Sequence, residues 1–274
     1  MSDASTHIHS TATIDPSATI HPLALIGKNV VIGAGVNIGP WSLIGDDVEI
    51  GDDCQIFSHV VIKGPTKIGK ANKIYQFSSV GEECQDKKYA GEPTRLEIGD
   101  RNIIRENCTI HRGTIQDNSL TKIGSDNLLI AYVHVAHDCI VGDNCILANN
   151  TTLAGHVHVA DHVILGGGTM VHQFCQIGEH SMSAGGSIVL RDIPAYVMAS
   201  GQSASAHGLN SEGIKRKGFS KDAMKALREA YKIIYRSSNT IEVAKRELKH
   251  LALEFPEVNN MLKFIEQSER GILR

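Results

Sequence analysis

Aliphatic residues recur at every sixth position along most of the chain between Ile8 and Ile177. The series is unbroken from Ile8 to Val80, and in VVIGAGVNIGPWSLIGDDVEIGDDC a glycine follows four of its members. A period of six matches neither an amphipathic helix nor an alternating strand. It is typical of a parallel β-helix, in which each hexapeptide forms a short strand and a turn and three hexapeptides close one coil.

Two polar stretches interrupt the hexapeptide series. The first, at 81–97, carries Asp86 and Glu92 at the in-phase positions, and the second is HRGTIQDNSLTK at 111–122. Aliphatic residues then continue in a new phase as far as Ile177. Insertions in a solenoid form loops on one face, which is often the binding face. We therefore expect both stretches to project near a functional surface; tolerated surface decoration is the alternative.

Five of the six cysteines occupy one particular slot of the hexapeptide. Each follows a repeat aliphatic by four residues, where the side chain points inward and only a small one fits; they are Cys54, Cys108, Cys139, Cys145 and Cys175. A free buried cysteine packs as a small hydrophobe. We predict core packing for all five, with disulfides or zinc ligation as the alternatives.

The hexapeptides end near residue 190, and the sequence changes character. A connector containing glycine and serine is followed by three amphipathic segments, whose predicted starts are Ser220 and Thr240 as caps and Pro256 as a first helical residue. The predicted fold is mainly β. A parallel β-helix of about 9–10 coils occupies 1–190, and the connector and a C-terminal α-helical domain occupy 191–274.

Composition narrows the classes of protein. Hydrophobic residues make up 42% of the chain but aromatic residues only 5%, so the core must be aliphatic. A net charge of −3 argues against a nucleic-acid binder. The sequence has no apolar run of about 18 residues and no signal-peptide pattern at its start. We therefore expect a cytoplasmic protein without stable membrane insertion.

Histidines cluster late in the repeat. With one coil per three hexapeptides, His137 should stack on Gly155, and Gly155 on Gln173, at spacings of about 5 Å. His156 lies one residue beyond this column and His172 one residue before it. The five residues are therefore predicted to share one outer edge of the prism across three coils.

Three interpretations of this edge remain open. The histidines could be ordinary solvated turn residues, or they could bind zinc. Alternatively, His137 is a general base whose tautomer is fixed by Asp138 or another acceptor. In that case the Gly155 N–H lies one coil away, where it can stabilise an oxyanion. No serine or cysteine nucleophile stands out beside the histidine, which favours direct transfer over a covalent intermediate.

Several motifs resemble those of a known enzyme family. QDKKYAGEPTRLEIGDRNIIRE, TIHRGT, HVAHDC, LAGHV, VHQFCQIG and EGIKRKGFS are similar to stretches of bacterial UDP-N-acetylglucosamine acyltransferases, the first enzymes of lipid A biosynthesis. The resemblance implies left-handed coils and a homotrimer with active sites between neighbouring prisms. It implies transfer of a 3-hydroxyacyl chain from acyl carrier protein to the glucosamine 3-hydroxyl of UDP-N-acetylglucosamine, with no cofactor and no metal.

The resemblance also implies roles for individual residues. His137 matches the base, Asp138 its orienting partner and Gly155 the oxyanion donor. Further substrate contacts are implied for Gln85, Asp86, Lys88, His134, His156, His172, Gln173, Asn210, Glu212 and Arg216. Met182 and Gly185 are implied to line the acyl-chain groove, and a glycine at the second position should leave room for a long chain.

Other functions and partners are compatible with parts of the pattern. The nearest rival is a related N-acyltransferase that acts later on an acylated glucosamine; a non-catalytic scaffold and a zinc enzyme are the others. The start of the helical part is basic, and this patch would steer an acidic acyl carrier protein or hold nucleotide phosphate; an ordinary solvated helix face is the alternative. Its members are Lys215, Arg216, Lys217, Lys221, Lys225 and Arg228.

Overall fold

A computed structural model describes residues 7–274 and shows short strands wound into a parallel β-solenoid. The strands of the solenoid run in chain order as follows: β1 (Thr13–Ile14), β2 (Thr19–Ile20), β3 (Leu25–Ile26), β4 (Val31–Ile32), β5 (Asn37–Ile38), β6 (Leu43–Ile44), β7 (Val48–Ile50), β8 (Gln55–Ile56), β9 (Val61–Ile62), β10 (Thr66–Ile68), β11 (Lys73–Ile74), β12 (Ser79–Glu82), β13 (Arg95–Ile98), β14 (Ile103–Ile104), β15 (Thr109–His111), β16 (Leu120–Ile123), β17 (Leu128–Leu129), β18 (His134–Val135), β19 (Ile140–Val141), β20 (Ile146–Leu147), β21 (Thr152–Leu153), β22 (His158–Val159), β23 (Ile164–Leu165), β24 (Met170–Val171), β25 (Gln176–Ile177), β26 (Met182–Ser183) and β27 (Ile188–Val189).

Every third strand belongs to the same sheet, so the solenoid has three flat sides. Sheet 1 begins with β1, sheet 2 with β2 and sheet 3 with β3, and sheets 1 and 3 each contain nine strands. We name the three stacked columns of turns after the sheets that they join, as edge 1/2, edge 2/3 and edge 3/1. The predicted fold class is confirmed, whereas the left-handed winding stays a prediction from the resemblance.

The strand register explains the period and its two breaks. Ile14 pairs with Ile32, three hexapeptides further along, and this is one coil. Ile68 pairs with Ile98, five hexapeptides further along, so this coil is longer by two whole hexapeptides. Ile98 pairs with Ile123, so the next coil is longer by one hexapeptide and a single residue, which changes the phase. Both insertions leave the solenoid at edge 3/1, one between β12 and β13 and one between β15 and β16.

The interior is aliphatic, as predicted, and it also contains the five repeat cysteines. All five are fully buried, and Cys139 donates its thiol to the Ala154 carbonyl at 3.1 Å. Burial raises the pKa of Cys139 and of Cys145 to about 12, so both thiols stay protonated near neutral pH. Core packing is thereby confirmed, and all six cysteines are free.

The connector is more ordered than its composition suggests. β28 (Val197–Gly201) pairs in parallel with β26, and β29 (Ala204–Leu209) returns antiparallel to it, so sheet 2 continues past residue 190. A short helix, α1 (Ser211–Arg216), follows. The hairpin forms because the last coil offers unpaired backbone groups on which the chain can pair.

The three predicted helices are confirmed with their predicted starts. They are α2 (Lys221–Tyr235), α3 (Ile241–Glu254) and α4 (Pro256–Gln267). The Ser220 hydroxyl accepts from the Ala223 N–H, and the Thr240 hydroxyl accepts from the Val243 N–H. Within the described part of the chain, no helix is both long enough and apolar enough to cross a membrane.

Candidate active site

The turn between β18 and β19, at edge 3/1, holds a paired histidine and aspartate. His137 Nδ1 lies 2.8 Å from Asp138 Oδ2. The His137 side chain is 17% exposed, whereas that of Asp138 is fully buried. Because a carboxylate only accepts, this bond places the ring proton on Nδ1 and leaves the lone pair on Nε2.

Asp138 is held on its other side by the second insertion, residues 112–119, which we call the second loop. The Thr114 N–H donates to Asp138 Oδ1 at 2.8 Å, and the Thr114 hydroxyl donates to Oδ2 at 2.6 Å. Burial alone would raise the pKa of Asp138, but the hydrogen bonds from His137 and Thr114 outweigh it and hold this pKa below its usual value. The carboxylate is therefore ionised near neutral pH.

Gly155 lies one coil further along, directly beneath the His137 ring. A Cβ atom at this position would lie 2.5 Å from His137 Cε1 and 2.7 Å from Nε2, so only glycine leaves room for the ring. Within residues 7–274, no hydrogen bond takes up the Gly155 N–H. The predicted stacking of His137 on Gly155 is confirmed, and the histidine explains why the glycine is needed.

The next coils add further residues of the predicted edge. The His156 ring meets the His137 ring edge-on, with centroids 5.1 Å apart, and it stacks on Phe174 at 4.4 Å. His172 and Gln173 are exposed at the same edge, immediately after β24. The structure thus brings the predicted histidines together, although not as a row of equivalent side chains.

The first insertion, residues 83–94, which we call the first loop, closes one side of a cavity of about 390 Å³. Residues from this loop and from three coils line it: Gln85, Asp86, Lys87, His111, Ala136, His137 and Gln173. Lys88 is exposed outside this cavity, and its N–H donates to the Asp86 carboxylate at 2.9 Å. Sequence reasoning missed Lys87, which lies inside the first insertion, and His111, which ends β15 just before the second, because neither position belongs to the repeat pattern.

A buried arginine fixes the first loop to the solenoid. Arg112 is 8% exposed, and its Nη1 donates to the carbonyls of Gly64 and Gly81, each at 2.7 Å. Its Nη2 lies 3.3 Å from the hydroxyl of Tyr89, which belongs to the first loop. The second loop thus begins with a residue that positions the first.

His134 lies against His111, one of the residues that line the cavity. Its Nδ1 lies 2.7 Å from the Thr109 hydroxyl, and its ring centroid lies 5.4 Å from that of His111. Burial, and then the nearby His111 and His137, lower the pKa of His134 to about 4. This histidine is therefore neutral at physiological pH.

The predicted nucleotide contacts lie away from edge 3/1. Asn210 caps helix α1 by accepting from the Gly213 N–H, and its amide donates to the His180 carbonyl at 3.0 Å, in the turn between β25 and β26 at edge 1/2. Glu212 and Arg216 are exposed on α1. Asn210 thus has a structural role, and contact of these residues with nucleotide stays a prediction.

The predicted acyl-chain residues lie at yet another edge. Gly185 is exposed in the turn between β26 and β27 at edge 2/3, and a Cβ there would lie 3.3 Å from the Gly167 carbonyl oxygen. Met182 is half-buried in β26. Within one chain, the catalytic candidates therefore lie at edge 3/1, Asn210 lies beside edge 1/2 and Gly185 lies at edge 2/3.

A larger cavity, of about 830 Å³, lies among the helices. Its charged lining residues are the cations Lys225, Arg228, Lys232 and Arg236 and the acids Asp222 and Glu229, and Tyr231 and Phe255 are its aromatic ones. Two of the lining cations, Lys225 and Arg228, belong to the basic patch predicted from the sequence. The lining thus has more positive than negative side chains and includes apolar surface.

Three of the edge 3/1 side chains also form a group that could hold a metal ion. Ligand atoms of His137, Asp138 and His156 all lie within 4.8 Å of one another. In the arrangement observed, His137 Nδ1 is hydrogen-bonded to Asp138, and His156 Nδ1 lies 3.0 Å from Asp117 Oδ2. The ring nitrogens that face carboxylates thus serve as hydrogen-bond donors.

A parallel solenoid of hexapeptide repeats with a histidine–aspartate pair at an outer edge defines the class of hexapeptide transferases. The family model for bacterial transferase hexapeptides matches residues 120–155, and the model "Udp N-acetylglucosamine O-acyltransferase; Domain 2" matches residues 192–273. A model of the GMPPB C-terminal domain matches residues 3–90.

Individual relatives narrow the class to one family. An acyl-[acyl-carrier-protein]–UDP-N-acetylglucosamine O-acyltransferase of Thiobacillus denitrificans is 55% identical over 203 residues, which are 74% of this chain and 79% of that protein. The structure of LpxA from Acinetobacter baumannii is 54% identical with a TM-score of 0.87, covering 97% of this chain and 99% of that one. The UDP-N-acetylglucosamine O-acyltransferase of Moraxella catarrhalis is 50% identical with a TM-score of 0.85, covering 98% and 100%. The chain therefore belongs to the acyl-[acyl-carrier-protein]–UDP-N-acetylglucosamine O-acyltransferase family and is an acyltransferase.

Proposed function

We propose that this acyltransferase moves a 3-hydroxyacyl chain from acyl carrier protein to the 3-hydroxyl of UDP-N-acetylglucosamine, in lipid A biosynthesis. The names of the relatives supply the donor and acceptor. The observation that carries the chemistry is the His137–Asp138 bond of 2.8 Å, which leaves Nε2 as the free base. Nε2 belongs to a ring that lines the cavity at edge 3/1.

In the proposed reaction, His137 Nε2 takes the proton of the sugar 3-hydroxyl while the hydroxyl oxygen attacks the thioester carbonyl. The Gly155 N–H stabilises the oxyanion that forms. The carbon–sulfur bond then breaks, and the proton passes from His137 to the departing sulfur, which leaves as the thiol of acyl carrier protein. Asp138 stabilises the positive charge on the ring between the two proton transfers.

Direct transfer is favoured over a covalent intermediate. Cys139, which follows Asp138 in the chain, is fully buried with its pKa raised to about 12 by burial, and burial also raises the pKa of Cys84 in the first loop, so neither supplies a thiolate. Two hydroxyl residues touch the pair: Thr114 donates to the Asp138 carboxylate, and Thr121 accepts from the Asp138 N–H. Neither hydroxyl donates to the imidazole, which is the stronger base of the pair.

We propose that the active enzyme is a homotrimer, as the resemblance implies. The catalytic candidates at edge 3/1, Asn210 beside edge 1/2 and Gly185 at edge 2/3 lie on different sides of one prism, so a single chain cannot apply all of them to one substrate. Parallel prisms packed about a threefold axis would bring different edges together. Co-assembly of His137→Ala with Arg216→Ala chains should then restore activity that neither variant has alone, because mixed trimers contain intact composite sites.

The acyl carrier protein is proposed to dock on the basic patch beside the helical cavity. Acyl carrier proteins are acidic, so complementary charge would steer their approach. Charge reversal at Lys225 and Arg228, which line the cavity, should raise the KM for the acyl donor while leaving the KM for the sugar nucleotide unchanged. Equal changes in both constants would argue against docking at this patch.

The decisive experiment is an acyl-transfer assay on purified protein with 3-hydroxyacyl carrier-protein thioesters and UDP-N-acetylglucosamine. His137→Ala should lose roughly 10²–10⁴-fold in kcat. His158→Ala is the matched control, because His158 is exposed on β22, on the face of sheet 1, and does not line the cavity at edge 3/1, so it should leave activity within about twofold. Activity of His137→Ala within about threefold of wild type would refute the base.

The same assay separates the rival functions. An ester product identifies O-acyl transfer, whereas an amide product from an amino-sugar acceptor would identify the N-acyltransferase, and no product at all would favour a scaffold. The group formed by His137, Asp138 and His156 keeps a zinc enzyme as the second candidate. Bound zinc at one ion per site, with activity lost on chelation and restored by zinc, would favour it.

A further inference from the structure

The second loop brings a carboxylate to the second histidine of the site. Asp117 Oδ2 lies 3.0 Å from His156 Nδ1, although the two residues are far apart in the chain. The His156 side chain is largely covered, at 16% exposure, whereas that of Asp117 is more accessible, at 32%. Edge 3/1 therefore contains two histidine–carboxylate pairs, and the proposed reaction accounts for only the pair formed by His137 and Asp138.

The remaining contacts of the His156 ring do not fix its orientation. The ring stacks on Phe174 at 4.4 Å with an interplanar angle of 11°. A half-turn about the Cβ–Cγ bond preserves this stacking and exchanges Nδ1 with Cδ2 and Nε2 with Cε1. Of the ring contacts described, the bond to Asp117 is the one that distinguishes the two orientations directly, because a carbon cannot donate to a carboxylate in place of Nδ1.

The orientation matters because of what the opposite nitrogen faces. His156 Nε2 lies 3.8 Å from Asp138 Oδ2, the same oxygen that accepts from His137 Nδ1. After a half-turn, Cε1 would replace Nε2 at this position. The orientation of His156 therefore decides whether a nitrogen or a carbon lies beside the carboxylate of the catalytic pair.

We infer that Asp117 is a positioning residue of the acyl transfer reaction, which acts by holding the His156 ring with Nε2 towards Asp138. The inference rests on the proposed function, since it assigns a role within the same site. The second loop would then position both residues of the site: Thr114 holds Asp138 directly through two hydrogen bonds, and Asp117 holds His156.

The expected kinetic effect is moderate. A hydrogen bond to an ionised acceptor favours one of two ring orientations by roughly tenfold or more. Without it, equal populations of the two orientations would by themselves halve kcat, and the less confined ring adds to this loss, so Asp117→Ala should lower kcat by about 3–10-fold. Asp117→Asn keeps an oxygen acceptor for Nδ1–H and should retain activity within about twofold of wild type. Gln116→Ala, an exposed change in the same loop, is the matched control and should have no effect.

A double-mutant cycle tests whether Asp117 acts through His156. In a His156→Ala background, Asp117→Ala should cause no further loss of kcat. An equal loss in both backgrounds would overturn the inference, as would an Asp117→Asn variant as impaired as Asp117→Ala. A lowered melting temperature with unchanged kcat would also overturn it, because the contact would then be structural.

A spectroscopic readout makes the test independent of the reaction. In ¹⁵N spectra of histidine-labelled protein, the His156 Nδ1–H signal should show a hydrogen bond in the wild type and lose it in Asp117→Ala. An unchanged signal would refute the positioning role whatever the enzyme transfers. If instead the signal changes but wild-type protein transfers no acyl group, the proposed function fails and the ring-holding contact stands.

Discussion

The packing of Gly155 against the His137 ring predicts the effect of adding one methyl group at residue 155. In Gly155→Ala, the new Cβ would lie 2.5 Å from Cε1 and 2.7 Å from Nε2 of His137. Nonbonded carbon atoms settle at about 3.5–4.0 Å, so the ring must move by about 1 Å or more. The three atoms nearest to this Cβ all belong to His137, so the imidazole must give way.

We expect the fold to survive this change and the activity to be lost. The His137 ring is at the protein surface, 17% exposed, and can swing outward without disturbing the core. Outward rotation breaks the 2.8 Å bond to Asp138 and moves Nε2 away from the substrate position. A displacement of about 1 Å at a reacting group can cost 10²-fold in rate. Gly155→Ala should therefore lower kcat by about 10²-fold or more.

Steady-state acyl transfer and a thermal melt together check this prediction. Gly167→Ala is the matched control: Gly167 also follows a buried leucine by two residues, and a Cβ there would meet only the Asn149 carbonyl, at 3.4 Å. The control concerns folding, because Gly167 lies beneath Gly185 of the predicted acyl groove, and both variants should melt close to wild type. Gly155→Ala with at least a third of wild-type kcat would show that the ring position is not critical, and the reasoning would fail.

Three further predictions concern the core, the pH dependence and the acyl groove. Ile50→Asp should lower the melting temperature strongly because it buries an unpaired carboxylate. Lys88→Ala, on an exposed loop, should change only the kinetic constants for substrate, and an equal decrease in the melting temperature of both variants would show that this loop is structural. Burial lowers the pKa of His134 to about 4, below its value in the unfolded chain, so the free energy of unfolding should fall by up to about 3 kcal/mol as the pH is lowered from about 6.5 to 4. This decrease should be smaller in His134→Gln, and an equal decrease in both proteins would contradict the prediction. Gly185→Met should shift the preference to shorter acyl donors, by roughly tenfold for two excluded methylenes at about 0.8 kcal/mol each; an unchanged preference over three donor lengths would place the groove end elsewhere.

The solenoid could be predicted from the sequence because its core obeys one local rule. Every hexapeptide needs an inward aliphatic, so the period survives in the sequence without any knowledge of tertiary contacts. The edge from which the first loop leaves could not be predicted with the same certainty. This insertion equals two hexapeptides and keeps the phase unchanged, and only the pairing of Ile68 with Ile98 identifies the interrupted coil.

The candidate site could be predicted in part. Stacking of coils placed His137 over Gly155 because both occupy the same slot of the repeat, one coil apart. The partners of the pair could not be found this way. Thr114 and Asp117 lie in the second loop, which has no period, and their contacts depend on how that loop folds back over edge 3/1. Likewise, the composition of 191–210 does not predict the hairpin of β28 and β29, because its pairing depends on the last coil.

The placement of the chemistry follows from the rules of the repeat itself. Inward slots must stay aliphatic or small, so reactive side chains are confined to the turns. At edge 3/1 the turn residues Asp138, His156 and Phe174 share a left-handed conformation, with φ of 59°, 61° and 65°. In an uninterrupted solenoid such turn side chains face solvent. Asp138 is buried because the second loop covers its turn, and burial beside His137 makes this carboxylate an effective partner for a base. The insertion therefore turns a repeated structural slot into a candidate catalytic one.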